Sequence, residues 1–445
     1  MGLSTGLIGP TLLKMGSQTN SNIQQLAYLF SARSVGFFIG TLVGGALIDR
    51  FIHYGNTLLA MCVFVMTITT VIVPFVFRFY ILIPIQLAVA LAMGMIDNFA
   101  QILTLRHYTK GVGPYIQALH CAFGVGCFIS PLIVAPFLAD VLPKNSTIFD
   151  NTNNTKVGYS IKNDDDNKQW HYSYYIIGCL FIPDLIWILF YAIRDEWCKS
   201  IENDSKKPNK KQELPLLSDH NKMTSDSDKK QNRIHFAFVL GVSIFLCLYV
   251  GCEGSFGSYL HTYAHLHLNI PKDIAAYLNS AFWGSFALGR FFGIFISLKI
   301  KPIHMIFIDL FGCLLSLVLI LIFHRSVTIL WVASIIYGLF VGSIYASAIN
   351  WTEHRIKMTG KILSALAVGG SSGDAIIPLS VGFAISSRRI GPLGFIIIPV
   401  IVTVLATALI FILILCIPEP EQSKPENVDV CTTKDETDTH LKELL

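Results

Sequence analysis

Three polar side chains, Asp97, Asn98 and Gln101, interrupt an apolar run in the stretch ALAMGMIDNFAQIL (90–103). A carboxylate flanked by amides can hold a proton or a small cation, and amides can bind the hydroxyls of a neutral solute. Gln86, Asp97 and Gln101 are separated by 11 and 4 residues. On a helix of about 3.6 residues per turn, each member then lies within about 40° of the next. The result is a polar stripe on an otherwise apolar helix. An acid near the centre of a bilayer costs about 2.5–3.5 kcal/mol on insertion scales. Such a group is expected to face a water-filled path or a partner; the structural alternative is an Asp–backbone or Asp–Arg lock between helices.

Other ionisable groups share this apolar setting. Glu253 stands in YVGCEGSFGSYL and Arg33 in the run beginning near residue 27. Both are expected at similar depth, where they could pair as an outer gate or leave Arg33 free to bond a ligand hydroxyl. Asp374 follows the glycine-rich GGSSG, which thins a helix for close packing or for ligand approach. Asp184 and Asp309 are expected to be buried in helix-packing contacts. HTYAHLHL (261–268) offers three histidines but no completing Cys or carboxylate, so a solvent-facing loop and no metal site are expected.

These residues need membrane helices to position them. The chain has 445 residues, 53% hydrophobic and only 14% charged, against about 25% charged in soluble domains. No basic stripe interleaved with aromatics suggests nucleic acid. The ten cysteines show no C-x-x-C pair and read as small buried hydrophobes. Apolar runs lie near 27–48, 57–77, 80–105, 114–139 and 173–193, then near 235–262, 275–298, 303–323, 327–352, 361–386 and 392–417. That predicts eleven complete spans in an all-α membrane protein. MGLSTGLIGPTLL, at about 1.5 Å per residue, is too short to cross. It is expected to be part of a first span whose beginning is missing, which would make twelve. The expected organisation is a six-helix bundle over 1–195, a linker over 196–233, a second bundle over 234–418 and a tail over 419–445.

With both termini inside, the linker and several inner loops carry a modest excess of Lys and Arg, as the positive-inside rule requires. The sequons at Asn145 and Asn153 then fall in an outer loop and are expected to be glycosylated.

The two halves echo each other. QALHCAFGVGCFISPL aligns without gaps on SALAVGGSSGDAIIPL, TGLIGPTL on EGSFGSYL, and Gly40 and Gly44 on Gly289 and Gly293, all at offsets of 247–249 residues. Three matches in one order indicate a duplicated six-helix unit, a transporter plan.

GTLVGGALIDRFIHYG (40–55) resembles the loop signature of the major facilitator superfamily, with His53 where a second basic residue is usual. YVGCEGSFGSYL, LNSAFWGSFALGRFFG, QALHCAFGVGCFISPL and GGSSGDAIIPLSVG are together similar to its fucose/glucose-transporter branch, and within that to the animal sodium-dependent glucose transporter group and its major-facilitator-domain relatives. The resemblance implies two bundles rocking about a central site. It puts Asp97 at a motif position linked to ion coupling, with Phe99-Ala100 where Asn-Pro is common, and Glu253 at the matching acid of the seventh span. It implies cavity-lining positions for Gln117, His120, Asn279 and Trp283. An amide suits sugar hydroxyls and an aromatic face suits the apolar side of the ring.

The expected protein is therefore a hexose transporter coupled to sodium. Asp97 and Glu253 would handle the ion. Gln101, Gln117, Asn279, Trp283, Asn98, Arg33 and Asp374 would contact substrate, and Asp49, Arg50 and Arg290 would serve gates. Proton coupling uses the same residue type. An uncoupled facilitator of sugar or another small neutral solute, or a non-transporting protein of the same fold, are the alternatives. No nucleophile–base constellation or Walker loop supports an enzyme. No cofactor is expected beyond the sodium ion, and the expected state is a monomer in the plasma membrane.

Overall fold

The computed structural model describes residues 1–51, 54–107, 113–138, 168–205, 226–297, 299–356 and 360–416. Twelve α-helices account for most of the described residues. The first half holds α1 (Gly2–Thr19), α2 (Ile23–Arg50), α3 (Gly55–Ile72), α4 (Phe79–His107), α5 (Gly113–Leu138) and α6 (His171–Ser205). The second holds α7 (Asp226–Leu268), α8 (Lys272–Ser297), α9 (Pro302–Ile322), α10 (Val327–Glu353), α11 (Gly360–Ser386) and α12 (Gly394–Cys416). A bilayer core leaves backbone groups no solvent partner, so helices satisfy them internally.

Ten of these helices are long and apolar enough to cross a membrane among the described residues. Neither α1 nor α8, expected as the partial first span and as a complete span, is among the ten. Helix α8 has 26 residues but carries Asp273, Asn279 and Arg290. Asn279 and Arg290 face other helices, so packing rather than mean apolarity holds it in the bundle.

The duplication seen in the sequence is built into the packing. Helix α2 packs on α4 as α8 packs on α10, and α1 on α5 as α7 on α11. The glycines set how closely they approach. A Cβ at Gly40 would collide with the Leu91 carbonyl, and one at Gly289 with the Leu339 carbonyl. Likewise Gly94 abuts the Phe37 carbonyl and Gly342 that of Phe286. Absent side chains let backbones touch, the small-residue mode of membrane packing.

The halves meet through α1–α7, α2–α11 and α5–α8. Gly9 rests on the Gly257 and Ser258 carbonyls, Ala27 on Gly382, and Phe128 on Gly284. Ring pairs Tyr28–Phe383 and Phe30–Tyr259 join the same region. These contacts lie toward the face that carries the α1–α2 and α7–α8 links, so the bundle is closed there.

Three expectations need correction. Residues 261–268 are not a loop but the last turns of α7. His261 is buried, with Nε2 3.0 Å from the Lys272 carbonyl, and His265 Nδ1 lies 2.8 Å from that of Ile270. Next, α6 runs to Ser205 and α7 starts at Asp226, so helix occupies both ends of the expected linker; 206–225 lies outside the described residues. Finally, Asp184 is exposed, not buried, while Asp309 is buried and accepts a 2.7 Å bond from Ser343.

Gly40→Ala and Gly289→Ala are each expected to destabilise by about 1–3 kcal/mol, the usual cost of overpacking. Thermal melts of purified protein would read this as a lower Tm. Gly45→Ala, whose Cβ would meet nothing nearer than Asn98 Nδ2 at 3.8 Å, should leave Tm unchanged.

Candidate functional site

Ionisable side chains gather where the two halves face one another. On the α7–α8 side, Glu253 Oε1 lies 3.8 Å from Arg290 Nη2. Tyr249 precedes Glu253 by one helical turn, and its hydroxyl lies 2.6 Å from both Glu253 Oε2 and the Val341 carbonyl. One proton serves two acceptors, so Tyr249 links the acid to α10. Arg290 also stacks over Phe286, 4.3 Å from its centroid, and donates from Nε to the Gly342 carbonyl at 3.3 Å. The guanidinium is held from three directions.

A second cluster joins α2, α4 and α11. Arg33 is buried and donates to Gln86 Oε1 at 2.8 Å and to Met93 Sδ at 3.4 Å. Ser34 donates to Asp374 Oδ2 at 3.1 Å, across the gap between halves. Arg33 and Asp374 are within reach of one another's charge. Asp374 also lies against Gly254, where a Cβ would strike Oδ1. The expected Arg33–Glu253 pair does not form. Each has an alternative partner nearer at hand: Arg33 has Gln86 on α4, and Glu253 has Arg290 on α8.

Asp97 has a different environment. Its Oδ2 accepts from Gln101 Nε2 at 2.9 Å, a neutral donor on its own helix. No cation pairs with Asp97 among the described residues. Asn98 points elsewhere, its amide donating to the Thr41 carbonyl. It therefore fastens α4 to α2, and that donor is unavailable to a ligand.

Asn279 is fully buried, and neither amide atom has a partner among the described residues. A Cβ at Gly9 would lie 2.9 Å from Asn279 Nδ2. Trp283 Nε1 is likewise buried without a partner, and its ring fills the space left by Gly257. Both side chains point at the α1–α7 seam between the halves. His120 is half-buried on α5. The side chains of Gln117 and Asp49 lie outside the described residues, as do Asn145 and Asn153. Arg50 is exposed at the end of α2, with Phe51 under its guanidinium at 5.7 Å. Arg290, expected at a gate, lies in the C-terminal half of α8 within the Glu253 cluster.

Sequence reasoning did not single out Tyr249 and Ser34. Each had a signal: Tyr249 is four residues before Glu253, and Ser34 adjoins Arg33. No group of three or more metal-ligating side chains occurs among the described residues. A double-mutant cycle on Glu253→Gln and Arg290→Gln should give a coupling of about 0.5–3 kcal/mol. The two single variants should melt lower than the double variant, since each leaves one charge buried alone.

Residues 1–378 match the sequence profile of the Major Facilitator Superfamily. Over 391 residues the chain is 29% identical to the mouse protein named sodium-dependent glucose transporter 1A, covering 86% of each. It is 26% identical over 432 residues to human major facilitator superfamily domain-containing protein 4A, covering 86% of this chain and 83% of that one. The crystal structure of the nucleoside transporter NupG superposes with a TM-score of 0.60 at 13% identity, covering 93% of this chain and 96% of that chain. The E. coli fucose:proton symporter FucP gives 0.55 at 16% identity, covering 94% and 95%. These two likenesses speak for the fold alone. With the profile spanning both bundles, and the duplicated helices packed as described, the chain belongs to the Major Facilitator Superfamily and is a multi-pass membrane transporter.

Proposed function

We propose that this transporter moves a hexose across the plasma membrane by alternating access, coupled to sodium. The observation that carries the coupling is the state of Asp97. Among the described residues, four acids lie at least half-buried away from the helix ends: Asp97, Glu253, Asp309 and Asp374. Glu253 has Arg290, and Asp374 has Ser34 and the nearby charge of Arg33. Asp309 is buried in the α9–α10 contact. Among the described residues, Asp97 keeps only a neutral amide from its own helix. A carboxylate in that condition has a charge to be balanced, and a monovalent cation held by carboxylate and amide oxygens balances it.

The interface chemistry supports alternating access. The face near the α1–α2 link is held by Phe30–Tyr259, by Ser31 donating to the Ala375 carbonyl at 2.9 Å, and by Ser34–Asp374. Few such groups must part for the halves to rock. Opening there would bring Asn279 and Trp283 to the cavity, with an amide for hydroxyls and an indole for the sugar's apolar face. Arg33, Asp374 and Gln101 would supply further polar contacts. The relatives named sodium-dependent glucose transporters support the same reading. The positive-inside bias supports cytoplasmic termini, and the presence of both halves in one chain supports a monomer.

The test is uptake of a radiolabelled glucose analogue by cells expressing the protein at their surface, in sodium and in choline buffer. Uptake should be higher in sodium. Asp97→Asn should lower the sodium-stimulated component about tenfold or more, as loss of a charge-assisted contact implies. Equal uptake in both buffers would overturn the coupling and leave a facilitator. Surface protein that moves no hexose would overturn the cargo.

A further inference from the structure

A recess of ≈ 510 Å³ opens at the closed face, away from the seam between the halves. Its walls come from the α1–α2 and α3–α4 links, and include Asn20, Ser21, Phe77, Arg78, Phe79 and Tyr80. The recess is braced. Gln18 Nε2 donates to the Pro74 and Val76 carbonyls at 2.9 and 2.7 Å, and Gln18 Oε1 lies 2.8 Å from His171 Nε2. Asn20 ends α1 in the left-handed conformation, φ 53°. Arg78 is exposed and its guanidinium has no partner among the described residues. The side chains of Asn20 and Tyr80 are exposed as well.

The duplication provides a built-in comparison. In the second half, Asn269 also has φ 53°, and Arg325 occupies the α9–α10 link 247 residues after Arg78. His267 stands where Gln18 does in the first half, 249 residues on. There its ring stacks on Tyr263 at 5.1 Å and lies 5.6 Å from His324, while the Tyr263 hydroxyl donates to the His324 carbonyl at 3.2 Å. Aromatic and imidazole rings occupy that corner. In the first half a slim amide leaves the recess.

An apolar track adjoins the recess. Met61, Phe64, Val65, Ile68 and Ile72 are exposed along one side of α3, and Phe75, Phe77 and Tyr80 are exposed at its end. Aromatic rims of this kind mark the level where acyl chains give way to headgroups. An unpaired guanidinium at that level matches a phosphate diester in charge and in fork geometry. We propose that this recess binds the phosphate of a phospholipid headgroup, Arg78 pairing with the phosphate while Asn20 and Tyr80 bond its oxygens and an acyl chain lies along the α3 track. The track argues for a lipid over a free anion, and the position on the flank of one half separates it from the cargo path.

The test uses full-length protein in a non-ionic detergent, with dioleoyl phosphatidylcholine, digalactosyl diacylglycerol or inorganic phosphate added. Native mass spectrometry counts retained lipid and thermal melts report stabilisation. Arg78→Gln should bind phosphatidylcholine about tenfold more weakly, Arg78→Lys should fall between it and wild type, and Arg325→Gln should match wild type. Because Arg78 is exposed and unpaired, all should melt alike without lipid. Unchanged binding in Arg78→Gln overturns the proposal. So does equal loss in Arg325→Gln, which would indicate unspecific charge, or equal stabilisation by the galactolipid, which would indicate acyl contact alone. Stabilisation by inorganic phosphate equal to that by phosphatidylcholine would reassign the recess to a free anion.

Discussion

Charge in a medium without water must be compensated by the protein itself, and the interior of this transporter is arranged around that constraint. Arg33 and Arg290 lie on α2 and α8, the first helices after each α1-type helix, and each engages an acceptor on the neighbouring helix. Neither is left to the lipid. The acids differ in how completely they are matched, from Glu253 with a guanidinium and a phenol to Asp97 with one amide. This gradient of compensation sets Asp97 apart from the acids that hold helices together. It also explains why the charged side chains converge on the seam: only there do several helices bring partners within reach.

Duplication set the geometry, and divergence made the halves chemically unequal. The backbone contacts Gly40–Leu91 and Gly289–Leu339 are the same contact made twice. At the α3–α4 packing Cys62 Sγ meets Met95 Sδ at 3.6 Å, whereas at the corresponding α9–α10 packing Ser343 meets Asp309 at 2.7 Å. Gly40 and Gly289 cannot drift, because an added Cβ at either meets a backbone carbonyl that cannot move aside. Side chains that only fill space can change, and new polar pairs arise where a partner happens to be near. The two link corners differ by the same logic, with Gln18 slim in one and His267 broad in the other.

The seam between the halves is held by a mixture suited to motion. Ring pairs, a few hydrogen bonds and the Gly9–Gly257 approach close one face, while within each half backbone-to-backbone glycine contacts recur at Gly36, Gly40, Gly94, Gly289 and Gly342. Side-chain contacts can separate and re-form with rotamer changes, whereas interlocked backbones move as a body. A rigid half and a yielding seam is what rocking requires.

Much of this was legible from sequence. Apolar runs predict most of the helices because the bilayer demands length and apolarity. The glycine matches at offsets of 247–249 residues identify the duplication, since close backbone approach tolerates no substitute. The stripe of Gln86, Asp97 and Gln101 follows from helical period alone, and Gln101 does meet Asp97. Sequence could not assign partners. Arg33 and Glu253 looked like a pair from depth, but depth along a helix says nothing of rotation or of which neighbour is closer. Asn98 looked like a ligand group and is instead bound to the Thr41 carbonyl. The histidines of α7 looked like a loop because polarity ends a span on paper, while tertiary packing against the α7–α8 link and α9–α10 kept them helical. Composition and period determine what each helix is; only the packed bundle decides which side chains meet, because that depends on the rotation and distance of every neighbour together.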